Sequence, residues 1–156
     1  GHRVSAVDLD IPEGLDRMHG VEVDYRRAEL TAMPFEDETF DAVFCISVIE
    51  HLGREGTSAA LRELRRVTRR GGRVLLTTDY YRDASEKMWY EGPGDPFPVE
   101  WAVFDEKRLA ERILAAPGFA VEGAVDLEVD WEKTRPRMKR FHGYPYTSVG
   151  VTLVRL

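Results

Sequence analysis

The apolar positions of this chain fall into short runs of two different periods. Arg3–Leu9 (RVSAVDL), Val21–Arg26 (VEVDYR), Ala42–Ser47 (AVFCIS), Arg73–Thr78 (RVLLTT) and Thr147–Leu156 (TSVGVTLVRL) are brief, rich in β-compatible residues and bounded by turn-formers, which predicts strands. Val74-Leu75-Leu76 is apolar at consecutive positions, as a strand buried on both faces of a parallel sheet should be. Over Thr57–Arg70, Ala60, Leu61, Leu64 and Val67 recur at helical spacing and leave Arg62, Arg65, Arg66 and Arg69 outward. This predicts a helix capped by Thr57 or Ser58 and stopped by Gly71-Gly72. A second helix should open at Asp105 and run to Ala115, with Leu109, Ile113 and Leu114 inward and Pro117-Gly118 at its end. Residues 13–19 suit only a short helix, and Phe119–Val129 alternates weakly as a strand. Asp130–Tyr146 is too short for a crossover helix, so the last two strands should be antiparallel.

One stretch draws the chemistry toward it. Phe40–Leu52 (FDAVFCISVIEHL) passes from an apolar strand into the polar pair Glu50-His51, and in an open α/β sheet the carboxyl ends of the strands are where ligands bind. From Asp79 to Val103 the periodicity is lost in a long stretch carrying Tyr80, Tyr81, Trp89, Tyr90, Phe97 and Trp101. That many aromatics suggests a folded cover over a pocket, so 79–103 reads as a lid within a single domain spanning 1–156.

Composition narrows the class. With 156 residues, 43% hydrophobic and 32% charged, the chain has the make-up of one ordinary globular domain. A net charge of −6 argues against a surface given over to nucleic acid, and the arginine-rich helix face reads as a solvated face rather than a phosphate or RNA site. Cys45 is the sole cysteine, which excludes an internal disulfide or a cysteine-rich zinc site. No apolar run approaches the ~20 residues that span a bilayer, and the N-terminus does not read as a signal peptide, so the expectation is a cytoplasmic protein.

Three blocks, RVSAVDLD, RRAELTAMPFEDETFDAVFCISVIEHL and LRELRRVTRRGGRVLLTTD, in this order and spacing, closely resemble the class I S-adenosylmethionine-dependent methyltransferases. The resemblance covers Gly1 to Asp79 in sequence and the remainder by architecture. It implies a Rossmann-like α/β sheet, mostly parallel, with an antiparallel last strand. It also implies that the family's first strand, Gly-rich turn and first helix are missing before Gly1, which would leave a gap between the Val4 and Val43 strands.

The resemblance further implies a cofactor site. Asp8 would accept hydrogen bonds from both ribose hydroxyls of S-adenosylmethionine, two carboxylate oxygens matching a vicinal diol. Leu9 would pack near the adenine. Glu29, where the family usually has Asp, would read the adenine amino group, with the Leu30 amide on a ring nitrogen. Ile46 and Ser47 would meet the methionine moiety. Asp10 reads as a surface residue and Cys45 as a buried small hydrophobe.

Other positions have more than one reading. Some family members bind a divalent metal through Glu-x-x-Glu-His here, but Ser47 replaces the first Glu, so no metal is expected. His51 could act as a general base; equally, Glu50 and His51 could be a polar pair capping the next segment. Tyr80, Tyr81 and Trp101 could shape a substrate cavity or pack the core and lid.

The resulting expectation is methyl transfer to an oxygen or nitrogen nucleophile of a small molecule, with no membrane or nucleic-acid partner and the oligomeric state open. A non-catalytic methyltransferase-like module is the alternative. A nicotinamide-dependent dehydrogenase is a weaker one, since no Tyr-x-x-x-Lys pair occurs.

Overall fold

A computed structural model describes residues 2–11, 13–82, 84, 89–90, 101–128, 133, 139–141 and 144–156. In chain order the elements are β1 (Val4–Asp8), β2 (Gly14–Met18), β3 (Val21–Arg27), β4 (Phe40–Ile46), a single 3₁₀ turn (Ile49–His51), α1 (Gly53–Val67), β5 (Thr68–Tyr80), β6 (Trp89–Tyr90), β7 (Trp101–Ala102), α2 (Glu106–Leu109), β8 (Phe119–Val121), β9 (Lys139–Phe141) and β10 (Tyr144–Arg155). α2 widens into a π-type turn over Ala110–Leu114.

The strands form a mixed arrangement. β1 pairs parallel with β3, and β4 parallel with β5. β10 is antiparallel to both β5 and β8, so the antiparallel ending read from the short Asp130–Tyr146 connection is what the chain adopts. Sheet order is β1-β3-β2 in one sheet and β4-β5-β10-β8 in the other, with β6 and β7 a separate pair. β1 and β4 are thus edge strands of different sheets and do not pair with each other.

Several expectations are corrected. Residues 14–18 form a strand, not a helix: they pair antiparallel with β3 through a turn in which His19 and Gly20 both adopt positive φ, 48° and 81°. α1 begins four residues before Thr57, whose hydroxyl caps nothing and instead donates to the Gly53 carbonyl at 2.6 Å. The helix ends at Val67, before the two glycines. Gly71 and Gly72 belong to β5, in an irregularity where register passes from Phe40 opposite Thr68 to Ala42 opposite Arg73. Gly71 supplies a φ of 72° there. Phe119–Val129 is a strand only as far as Val121. The Asp105 cap is as expected, its Oδ1 accepting from the Arg108 amide at 2.6 Å.

One core holds these parts. Leu61, Leu64 and Val67 of α1, Leu109 of α2 and Ile113 just beyond it pack with Val74 and Leu76 of β5 and Val149, Val151 and Leu153 of β10. Cys45 of β4 faces the same way and is buried, whereas its neighbours Phe44 and Ile46 are 67% and 55% exposed. Successive strand residues point to opposite faces, so the helices cover one face of this sheet near β4 and leave the other open. The expectation that Val74-Leu75-Leu76 is buried on both faces is corrected accordingly, since Leu75 is only partly buried. No helix among the described residues is long and apolar enough to cross a membrane.

Candidate functional site

The residues singled out in sequence separate into two groups, both at strand exits. In the first, Asp8 closes β1 and Ala28–Leu30 follow β3, and the parallel pairing sets them side by side. The Ala28 amide donates to the Asp8 carbonyl at 3.1 Å and fixes the junction. Asp8 is exposed; its Oδ1 accepts from the Asp10 amide at 2.9 Å in a local turn, and Oδ2 has no protein partner among the described residues. Glu29 is exposed too, with Oε2 accepting from the Thr31 hydroxyl at 3.2 Å and Oε1 open. Leu9, 65% exposed, is an apolar surface next to Asp8, while Leu30 packs against the core. Asp10 lies on the surface, paired with Arg27 at 3.1 Å.

The loop after Leu30 is held down by one arginine. Arg66 on α1 donates to the carbonyls of Met33 (3.1 Å) and Phe35 (2.7 Å) and pairs with Glu63 and Asp37 at 2.7 and 2.8 Å. Glu63 Oε1 also accepts from the Met33 amide at 2.8 Å. Phe35 stacks edge-on to Phe40, with centroids 4.8 Å apart, and Arg26 lies over its ring at 5.1 Å. Glu29 and Leu30 therefore project from a loop anchored at its far side.

The second group surrounds the exit of β4. Ile46 is exposed, and Ser47 takes a left-handed φ of 51°, a conformation costing a non-glycine residue about 1 kcal/mol. It is secured by its amide, which donates to the Thr77 carbonyl (3.2 Å) and hydroxyl (3.0 Å). The reversal turns the chain so that Glu50, three residues beyond Ser47, is driven inward to 1% exposure. Burial pushes its carboxyl up to about 7; its own amide opposes this, the Asp79 carboxylate adds to it, and the Ser47 and Thr78 hydroxyls pull it back down. Among the described residues, Oε2 of Glu50 and Oγ1 of Thr78 are nevertheless buried with no hydrogen-bond partner in good geometry. Burial and the neighbouring Asp79 and Glu50 also raise the phenol of Tyr146 on β10. Cys45 is an inert thiol, pushed up to about 12 by burial and then by Glu50.

The remaining candidates are placed as follows. His51 is exposed on the 3₁₀ turn. Tyr80 is a core residue at 2% exposure, whereas Tyr81 is half-buried against Val103. Trp101 sits in β7, its side chain outside the described residues, as is most of the 79–103 stretch read as a lid. Among the described residues no three His, Cys, Asp or Glu side chains cluster to hold a metal. Reading the sequence left Glu50 as one of a polar pair capping the next segment and overlooked Asp79; the signal was there, in two carboxylates each following an apolar strand region.

Comparison with known proteins follows the same division of the chain. The methyltransferase domain family matches residues 1–76. A methyltransferase described as S-adenosylmethionine-dependent, from Methanosarcina mazei, superimposes with a TM-score of 0.66 over 99% of this chain and 82% of its own, at 13% identity. Residues 1–76 thus match the methyltransferase domain family, and the chain as a whole shares the fold of solved methyltransferases. Geranyl diphosphate methyltransferase, solved with S-adenosylmethionine, shares the methyltransferase fold at a TM-score of 0.57 and 17% identity over 86% of this chain and 58% of its own. Ajmaline N-methyltransferase of Rauvolfia serpentina is 31% identical over 87 residues, 54% of this chain and 29% of that protein. The domain spans 20% and 29% of the curated relatives it matches.

Proposed function

We propose that this chain binds S-adenosylmethionine and serves methyl transfer to a nucleophilic oxygen or nitrogen of a small molecule. The observation that carries the reading is the Asp8–Glu29 pair: two exposed carboxylates on adjoining strand exits, each with one oxygen held by its own turn and the other open. That donor set fits the cofactor. Asp8 would hold the ribose diol, Glu29 the adenine amino group and the Leu30 amide a ring nitrogen, with Leu9 against the base and the Ile46-Ser47 backbone beside the methionine end. Bound S-adenosylmethionine supplies an electrophilic methyl group on a sulfonium centre. The protein's part is positioning and exclusion of water, which can account for much of such a barrier. Tyr81 and Trp101 would border the acceptor, with 79–103 as cover, and the exposed His51 would serve as a base toward it.

Calorimetric titration of the chain with S-adenosylmethionine tests the reading. Removing one charge-assisted acceptor costs about 1.5–3 kcal/mol, so Asp8→Asn should weaken binding roughly ten- to hundredfold. Binding unaffected by Asp8→Asn and Glu29→Gln, or no binding at all, would sink it.

A further inference from the structure

Glu29 is exposed, and an exposed glutamate ordinarily samples many rotamers. The torsion that aims its carboxylate is the loosest of them, because rotation about such a terminal bond is broad and roughly two-fold. Two contacts restrict it here. The Ala32 amide donates to the Glu29 carbonyl at 3.1 Å and closes a turn over residues 29–32. Inside that turn the half-buried Thr31 donates its hydroxyl to Glu29 Oε2 at 3.2 Å, which sets the plane in which Oε1 lies. Thr31 is itself held. Two residues on, the buried Met33 is gripped by α1 at both backbone groups: its amide donates to Glu63 Oε1 at 2.8 Å and its carbonyl accepts from Arg66 at 3.1 Å. Glu63 and Arg66 pair with each other at 2.7 Å, and the Arg66 hydrogen bonds lower the Glu63 carboxyl, so this grip stays charged through neutrality. A connected series of contacts therefore runs from α1 through Met33 to Thr31, and from Thr31 to the carboxylate.

We propose that Thr31, anchored through Met33 to Glu63 and Arg66, is a positioning residue that holds the Glu29 carboxylate in the orientation selecting adenine over hypoxanthine in the cofactor. This rests on the methyltransferase reading above and gives its cofactor site a base selectivity. The chemistry is one of donors and acceptors. A carboxylate only accepts; adenine meets it with an amino group, whereas hypoxanthine puts a carbonyl oxygen in the same place, acceptor against acceptor. Selectivity then depends on the carboxylate being held still. A freely turning one swings away from the carbonyl and forfeits the penalty against the wrong base, and it spends entropy to meet the right one. The Thr31 hydroxyl removes that freedom before the cofactor arrives.

Calorimetric titration of the full chain with S-adenosylhomocysteine, and with S-inosylhomocysteine in which hypoxanthine replaces adenine, reads the selectivity as a ratio of affinities. The wild type should favour the adenine form by about tenfold or more. Thr31→Val removes the hydroxyl and keeps the branched shape; it should cut that ratio about two- to fivefold, and Thr31→Ser should restore it. Thr31→Ala should repeat the valine result with a smaller side chain. In a Glu29→Ala background, Thr31→Val should leave the ratio where it stands, because the hydroxyl acts through the carboxylate. A Thr31 that merely supports the fold would weaken both ligands together and keep the wild-type ratio, which overturns the proposal. A loss that Thr31→Ser does not restore, or one that persists without Glu29, overturns it too. An unchanged ratio in Thr31→Val beside a collapsed one in Glu29→Ala strikes the positioning role alone and keeps Glu29 as the base reader. An unchanged ratio in Glu29→Ala, or a wild type that binds neither ligand, overturns the cofactor assignment and this proposal with it.

Discussion

Glu50 should make this protein less stable as the pH rises through neutrality. Its carboxyl is moved from an ordinary 4.5 to about 7, chiefly by burial and further by Asp79. At ~1.36 kcal/mol per pH unit, that displacement corresponds to about 3 kcal/mol. The sign follows from proton binding. Between 4.5 and about 7 the folded state keeps a proton that the unfolded chain has lost. Stability is therefore fully present below the unfolded value and declines as the pH climbs through the folded one. Cys45 and Tyr146 are shifted upward as well and stay protonated across this window. Glu50→Gln keeps the shape and removes the charge. It should match the wild type near pH 4.5 and exceed it by up to about 3 kcal/mol near pH 8, a large fraction of a typical domain's stability. Urea unfolding followed by far-ultraviolet circular dichroism at several pH values measures this directly. Asp79→Asn should reduce the slope without abolishing it, since Asp79 is the lesser of the two causes that raise the carboxyl. Parallel pH profiles for wild type and Glu50→Gln would refute the reasoning.

Two further changes probe the scaffold that presents the site. Arg66→Ala removes the donor shared by the Met33 and Phe35 carbonyls and by Glu63 and Asp37, and should cost about 1–3 kcal/mol in denaturant unfolding. It should also loosen Glu29, read as weaker S-adenosylmethionine binding by calorimetry; cofactor affinity equal to the wild type's would show that the loop does not depend on this anchor. At Gly72, a Cβ would approach the Arg69 and Asp41 carbonyls to 2.8 and 2.9 Å, backbone atoms that cannot swing away. Gly72→Ala should therefore destabilise by roughly 1–3 kcal/mol through overpacking, and a Tm within a degree of the wild type would contradict that account.

How far the chain could be read before folding depended on whether the information was local. Strand positions were legible because Val4–Asp8, Val21–Arg27 and Phe40–Ile46 carry their own apolar, β-branched pattern. Asp105 was legible as a cap because a cap acts within three residues of itself. Gly14–Met18 was not, because a five-residue segment becomes a strand only when β3 offers it a partner. The glycines after α1 misled for a similar reason: a stop for a helix and a bulge in a strand use the same backbone freedom, and pairing with β4 selects between them.

The site divides along the same line. Asp8 and Glu29 were nominated by the resemblance of their sequence blocks to the methyltransferase family, and the β1–β3 pairing sets their strand exits side by side. Glu50 was in view as a polar residue after an apolar run, but its burial, the neighbouring Asp79 and the Tyr146 phenol nearly a hundred residues further on exist only once β10 folds back along β5. Sequence thus determined which residues could carry the chemistry, because that is a matter of side-chain type and local order. Tertiary structure decided which of them lost their water, and desolvation by distant parts of the chain is what gives a common glutamate an uncommon proton affinity.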